Sequence, residues 1–358
     1  MNRVHIANTD FEFELAHPSN GSLEKGWKGQ PICLQLQYLP LLYGDPEDII
    51  AVTQIPDNSF FEQLEGQPWR KGEKLPQMVL VEEIEPYINC ECLSWGYSEH
   101  VMTWARHRNM LYNMADWSVV REVNSKAFSH RYTVLKEAKQ LWNDLELDAW
   151  SKSFSGKKVL KTCFGLSGKG LRIFDDATPL DELVKFCEKE WKAQRPMIAE
   201  PWLERVFDFS TQWEISKAEI RLVGATVFET TPYGVYNATI VGSEKVIFGN
   251  HIGFLEEHKQ ASIIVLQDMV EKGFFGNVGI DALLYRPAGK ENIYLYPIVE
   301  VNARKTMSWV ALKMQQKYFP DKTGRFEFLH YTSKGFSLLP LSLEGMKPFK
   351  HSLFLSIK

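Results

Sequence analysis

The chain has 358 residues, with a hydrophobic share of 44% and a charged share of 24%, which predicts two or three packed lobes and excludes disordered and fibrous classes. A formal net charge of -4 supplies no basic field for nucleic acid or an anionic membrane. No apolar run approaches the roughly 18 residues that a spanning helix needs.

Arg3, Asp10, Glu12 and Glu14 stand where a secretory signal would need apolar residues, so a cytoplasmic protein is expected. Cys33, Cys90, Cys92, Cys163 and Cys187 form no C-x-x-C pair and read as reduced, structural thiols. The 11 tryptophans are scattered, which suits cores better than a stacking platform.

In chain order, residues 4–7, 49–53 and 78–81 are short apolar or β-branched runs bounded by Pro, Gly and Asp, and they predict strands. A short helix is expected over 59–64. Together, residues 1–118 read as a small α/β lobe. A helix over 99–115, a short strand at 119–120 and a second helix from Asn124 or Ser125 to Trp142 follow, with Phe128, Tyr132, Leu135 and Leu141 on its buried face. A strand over 158–162 leads into a glycine-rich turn, then an amphipathic helix over 181–194 ended by Pro196, then a strand over 197–200. This second unit covers 119–203. Residues 204–358 are strand-rich, with strands expected over 214–215, 220–229 and 235–241. A helix over 255–272 precedes a hairpin of 278–285 and 293–301 around Pro287-Ala288-Gly289, and a helix over 306–318 follows. The last 28 residues carry several Leu and Phe and are expected to dock on the body.

Two features carry chemistry. Lys161 ends a strand and is followed by Gly165-Leu-Ser167-Gly168-Lys169-Gly170. Glycines let backbone N–H groups approach phosphate oxygens, and Ser167 adds a donor. The spacing is neither a Walker A loop nor a G-x-G-x-x-G fingerprint, so by itself a flexible hairpin turn remains the alternative. The second feature is Asp281, then Glu300-Val-Asn302-Ala-Arg304. The hairpin can bring Asp281 and Glu300 together, while Glu300 and Asn302, two apart, share a strand face. Two carboxylates and an amide oxygen are hard ligands of the kind magnesium accepts beside phosphate; solvated edge charges are the alternative for each residue alone.

In order, a lysine entering a helix (Lys126), a strand lysine with a glycine loop, Glu200-Pro-Trp202-Leu203 after a strand, Asp281 and Glu300-x-Asn302-x-Arg304 resemble the ATP-grasp superfamily. The resemblance covers roughly residues 120–315. It implies an α/β (α+β) fold of two lobes clasping ATP, preceded by the small N-terminal lobe. It implies that Lys126 and Lys161 contact the α- and β-phosphates, and that Gly165, Ser167, Gly168, Lys169 and Gly170 belong to a closing loop. Glu200, Trp202 and Leu203 would form the hinge at the adenine edge, with Asp208 near the ribose. Asp281, Glu300 and Asn302 would hold two magnesium ions, with manganese as a substitute. Arg304 would hold the substrate carboxylate or the transferring phosphoryl group.

Arg221 is a candidate for the γ-phosphate, a solvated strand-edge arginine being the alternative. His251, Met307 and Trp309 are candidates for the substrate pocket, with loop exposure and helix packing as their alternatives. The implied enzyme is an ATP-dependent carboxylate–amine ligase acting on small, amino-acid-like carboxylate and amine substrates, with a homodimer as the commonest closed assembly. An ATP-grasp kinase and a non-catalytic ATP-binding partner protein are the alternatives.

Overall fold

The computed structural model describes residues 3–18, 23, 27, 30–83, 90–165, 170–231, 234–287, 289–330 and 335–358. Three sheets organise them. The first contains β1 (Arg3–Ile6), β2 (Ile49–Val52), β3 (Gln77–Leu80) and β4 (Glu91–Ser94) in the order β3-β2-β1-β4, all parallel. All four residues of β2 are buried, as expected where a parallel sheet is covered on both faces. The order turns back between β1 and β4, and Asn8 joins the loops that leave their carboxyl ends.

The second sheet, in the order β5-β8-β6-β7, consists of β5 (Lys139–Leu141), β6 (Lys158–Lys161), β7 (Leu171–Phe174) and β8 (Met197–Pro201), all antiparallel. The helix Leu180–Lys192 covers it with Leu183 and Cys187. The third sheet is antiparallel and seven-stranded, ordered β13-β12-β9-β10-β11-β14-β15. Its strands are β9 (Glu204–Ile215), β10 (Ile220–Thr230), β11 (Tyr236–Val241), β12 (Gly276–Arg286), β13 (Tyr294–Asn302), β14 (Gly324–His330) and β15 (His351–Ile357). The helix Ile252–Glu271 buries Leu255, Val265, Leu266 and Met269. The helix Met307–Tyr318 lays Leu312 against Gly224 of β10, where an added Cβ would stand 3.0 Å from Leu312. All five cysteines are buried. Among the described residues no helix is long and apolar enough to cross a membrane.

Several sequence expectations are corrected. Residues 119–120 are helical rather than a strand: Trp117–Val123 is a helix capped by Asp116, whose side chain accepts from the Ser118 amide. The helix expected from Asn124 or Ser125 to Trp142 is only Lys126–His130, capped by Ser125. Beyond it, residues 139–141 pair with 197–199 as β5, and the sheet ladder replaces the helical bonds. The helix expected over 99–115 stops at Arg106, and Asn109 takes a left-handed conformation with φ 54°. The strand expected at 214–215 is the end of the twelve-residue β9. Of the turn at 287–289, Ala288 lies outside the described residues.

The C-terminal segment docks as expected. Its Leu338, Leu339 and Leu353 join one buried cluster with Val4, Ile50 and Val52 of the first sheet and with Val310 and Met314 of the last helix. Leu353 is fully buried, so Leu353→Ala is expected to cost about 3 kcal/mol of unfolding free energy. Urea denaturation checks this, and a loss below about 1 kcal/mol would place the segment outside that core.

Candidate active site

The pairing of β12 with β13 sets Asp281 directly opposite Glu300 and Gly279 opposite Asn302. Asp281, Glu300 and Asn302 therefore share one sheet face, and Asn302 Nδ2 donates to Asp281 Oδ2 at 3.2 Å. Just beyond, the β12–β13 register shifts between Asp281 and Leu283, and β13 carries Pro297, which cannot donate to a ladder. Such irregularities in sheets favour functional positions. Burial, and then the neighbouring Glu300, pushes the Asp281 carboxyl up to about 7. Burial also acts to raise Glu300, but the Lys126 ammonium, with Arg304 and Lys161, holds it below the ordinary carboxyl value.

The end of β13 is fastened to the lobe that carries Lys126. Ser129 Oγ accepts from the Val301 amide at 2.9 Å, and Asn124 Oδ1 accepts from the Ala303 amide at 2.9 Å. Lys126 thus meets Glu300, with Nζ 2.7 Å from Oε1 and 3.5 Å from the Gly165 carbonyl. Lys161, the last residue of β6, donates to Glu200 Oε2 at 2.6 Å, while Tyr296 Oη donates to Glu200 Oε1 at 3.1 Å. Both lysines that the sequence assigned to phosphate rest on carboxylates of the site itself. Of the glycine loop, Gly165 and Gly170 are described, whereas Ser167, Gly168 and Lys169 lie outside the described residues. Gly170 has φ 85°, and a Cβ there would fall 2.2 Å from Thr162 Oγ1, so only glycine fits.

Trp202 and Leu203 join β8 to β9. The Trp202 amide donates to the Lys157 carbonyl at 2.9 Å, so an adenine edge would be read by other backbone groups of this hinge. Trp202, Leu203 and Asp208 line one groove of about 750 Å³. Burial raises the Asp208 carboxyl above its ordinary value although Arg205 lies 2.6 Å away. Beside Glu200, Leu135, Leu283 and Tyr296 form an apolar cluster against Leu203, Tyr285 and Val299, a wall suited to a flat heterocycle. The sequence reading missed Leu283, although it lies two residues past Asp281 and is therefore on the same face. It also missed His130, four residues after Lys126 on its helix and within electrostatic reach of Glu200 and Lys161; burial lowers its pKa.

Arg304 is held from three sides. Nε donates to Glu12 Oε1 at 2.6 Å, Nη2 to Asn302 Oδ1 at 3.0 Å and Nη1 to the Lys305 carbonyl at 3.1 Å. Glu12 comes from the helix Phe11–Ala16 that follows β1. Arg221 is not brought to this centre. It faces Glu214 on β9, four residues along from Ser210, the partner of Asp281, which is about 13 Å away at the rise of a strand. It pairs there with Glu214 and is half exposed. Trp309 packs edge-on to Tyr43 at 4.9 Å, Met307 packs against the core that includes Trp309, and the His251 ring lies 4.8 Å from Phe207. None of these three is placed at the acidic pair.

The donor set fits magnesium. Among the described residues no three His, Cys, Asp or Glu side chains gather as a metal-holding group, so the third oxygen here is an amide's, that of Asn302. The mutual repulsion of Asp281 and Glu300 is what a divalent cation relieves.

No protein-family model matches the chain. Over 317 residues it is 23% identical to the butirosin acyl-carrier protein–L-glutamate ligase of Niallia circulans, covering 84% of this chain and 71% of that protein. Among solved structures, biotin carboxylase from Campylobacter jejuni, complexed with a nucleotide, aligns with a TM-score of 0.52 and 12% identity over 94% of this chain and 77% of that one. N5-carboxyaminoimidazole synthetase from Staphylococcus aureus aligns with a TM-score of 0.51 and 11% identity over 99% and 93%. At such identities the likeness to these structures is one of fold.

A pH dependence follows from Asp281. Its folded-state pKa of about 7 lies above the ordinary 3.8, so the protonated form favours the fold. That stabilisation is complete below about pH 4 and is lost as the pH rises through about 7. Asp10, raised by burial to about 7 as well, acts in the same direction. In EDTA, Tm is expected to fall by a few degrees between about pH 5 and pH 8. The decline should be smaller in Asp281→Asn, and saturating magnesium should reverse part of it in the unmodified protein only.

Proposed function

From the ATP-grasp fold of this chain we propose that it is an ATP- and magnesium-dependent ligase that activates a small, amino-acid-like carboxylate and couples it to an amine. The observation that carries this reading is the gathering of Asp281, Glu300 and Asn302 with Lys126 and Arg304 at the junction of three sheets. In the first step a carboxylate oxygen attacks the γ-phosphorus of ATP, giving an acyl phosphate and ADP. In the second an amine attacks the acyl carbon, and phosphate leaves as the amide forms. The curated relative, by its name, joins L-glutamate to an acyl-carrier protein, which agrees with an amino-acid carboxyl donor.

The chain's own groups have distinct tasks in this scheme. Lys126 and Lys161 leave Glu300 and Glu200 and turn to phosphate oxygens. Asp281, Glu300 and Asn302 hold magnesium, which when bound screens the charge that builds on the phosphoryl oxygens. Arg304 fixes the carboxylate beside the phosphoryl group and then faces the developing oxyanion. Gly165 and Gly170 bracket the loop to which the resemblance assigns the exclusion of water from the acyl phosphate. The hinge at Glu200, Trp202 and Leu203 receives the adenine, with Leu135, Leu283 and Tyr296 as its apolar wall. In this reading the units are 1–118, 119–203 and 204–358, and the enzyme works in the cytoplasm.

Lys161→Ala and Glu300→Ala are each expected to lower turnover by on the order of a thousandfold while the far-UV circular dichroism spectrum stays that of the unmodified protein. The assay is a screen of amino-acid pairs with ATP and magnesium, read by phosphate release and product mass. An unchanged rate in either variant removes the assignment.

A further inference from the structure

The arginine that would receive the substrate carboxylate already holds one. Glu12 and Arg304 pair across 292 positions of sequence, with side chains only 11% and 12% exposed. Glu12 uses a single oxygen for this contact. Its Oε2 is buried and has no hydrogen-bond partner among the described residues, and the same holds for Thr9 Oγ1 and Asp10 Oδ1 just before it. This stretch leaves the carboxyl end of β1, where the strand order turns back toward β4. Three buried oxygens in four residues are thus unmet; Glu12 lies on the Arg304 guanidinium and Asp10 lies within electrostatic reach of Glu12, so this stretch has more polar capacity than the chain itself fills.

With Nε and Nη2 on Glu12, Nη2 also on Asn302 and Nη1 on the Lys305 carbonyl, a carboxylate that grips Arg304 with both oxygens must displace a partner, and Glu12 is the anionic one. If the incoming molecule is a plain carboxylate, Glu12 is left as an anion with no counter-charge in a water-poor corner that already contains Asp10. Removing one partner of such a pair is strongly unfavourable, far more than the pair itself is favourable. If the incoming molecule is a zwitterion, its ammonium replaces the guanidinium at Glu12 while its carboxylate replaces Glu12 at Arg304. One buried pair becomes two, and no charge is stranded.

We infer that Glu12 selects an α-amino acid as the carboxyl donor, yielding Arg304 to the donor's carboxylate and accepting its ammonium in exchange. An ammonium held on a carboxylate is protonated and is no nucleophile, so the amino acid seated here supplies the acyl group and the attacking amine comes from a second molecule. This inference rests on the ligase reading and goes beyond it by assigning a recognition role to a residue of the first helix.

The test pairs each of the twenty protein amino acids with the same acid lacking its α-amine. ATP, magnesium and hydroxylamine as the accepting amine are supplied, and ADP and hydroxamate are measured. For at least one pair the unmodified protein should prefer the amino acid in kcat/KM by on the order of a hundredfold or more. In Glu12→Gln the preference should shrink to a few-fold, chiefly through a raised KM for the amino acid and a lowered one for the plain acid. Glu12→Asp should keep it. On the unmodified protein with MgADP, the amino acid of that pair should raise Tm and the plain acid should not, a readout that does not depend on any variant folding. ADP release with an equal preference in Glu12→Gln and the unmodified protein overturns the exchange and leaves the ligase reading standing. No ADP release from any acid overturns both.

Discussion

The antiparallel register of β12 with β13 is the constraint on which the site depends, because it forces two carboxylates of like charge to face each other. Asp281 and Glu300 are adjacent only because these strands pair as they do, and the strands pair because β12 is also held along its length by β9. The buried residues of the other face, Val278, Ile280 and Val301 among them, fill a shared core beneath. The hydrophobic side of the hairpin thus stabilises an arrangement that its polar side opposes. A slip of β13 by one residue against β12 would turn Glu300 into that core and Val301 out of it, so the core specifies the geometry of the acids.

Apart from Asp281, the charged groups of the site are paired with one another, which explains how it tolerates them. Lys126 answers Glu300, Lys161 answers Glu200, and Glu12 answers Arg304. Each of these three cations, expected to bind an anionic part of a ligand, rests on an internal anion within hydrogen-bond distance. Ligand binding then becomes an exchange of partners instead of the burial of new bare charges, and the desolvation cost of the protein's groups has already been met in folding. The same logic implies selectivity, since a ligand that takes the cations without supplying counter-charges for the released carboxylates is disfavoured.

How much of this was legible in the sequence depended on how far apart the partners lie. The hairpin bearing Asp281 and Glu300 was readable, since both strands are continuous apolar runs around a Pro-Gly turn, and its acids ended up paired as the spacing implied. The helix projected to Trp142 failed because residues 139–141 find partners at 197–199, and local periodicity is silent about a ladder formed with a strand more than fifty residues later. Much of β9 went unread although its signal is plain: Phe207, Phe209, Thr211 and Trp213 alternate with Asp208, Ser210, Gln212 and Glu214, a period of two with one polar face. Glu12 offered no local sign at all. Only the fold brings the first helix to the end of β13.

That approach of the N-terminal sheet to the end of β13 is itself built from specific contacts. Immediately after Arg304, the Lys305 amide donates to the Trp95 carbonyl at 2.9 Å, and its ammonium donates to the Ser94 carbonyl at 2.7 Å. The ammonium lies 5.8 Å from the Tyr43 ring and 5.6 Å from the Trp309 ring, and burial lowers its pKa to about 8. Asn8 ties the other loop in place, accepting from the Trp95 amide and donating to the Gly96 carbonyl. The carboxyl ends of β1 and β4 are therefore locked to each other and to the residue that follows Arg304. The arginine just beyond β13 and the glutamate of the helix after β1 thus meet at one junction. A lobe that supplies neither Asp281, Glu300 nor Asn302 thereby sets a carboxylate against Arg304, two residues beyond Asn302.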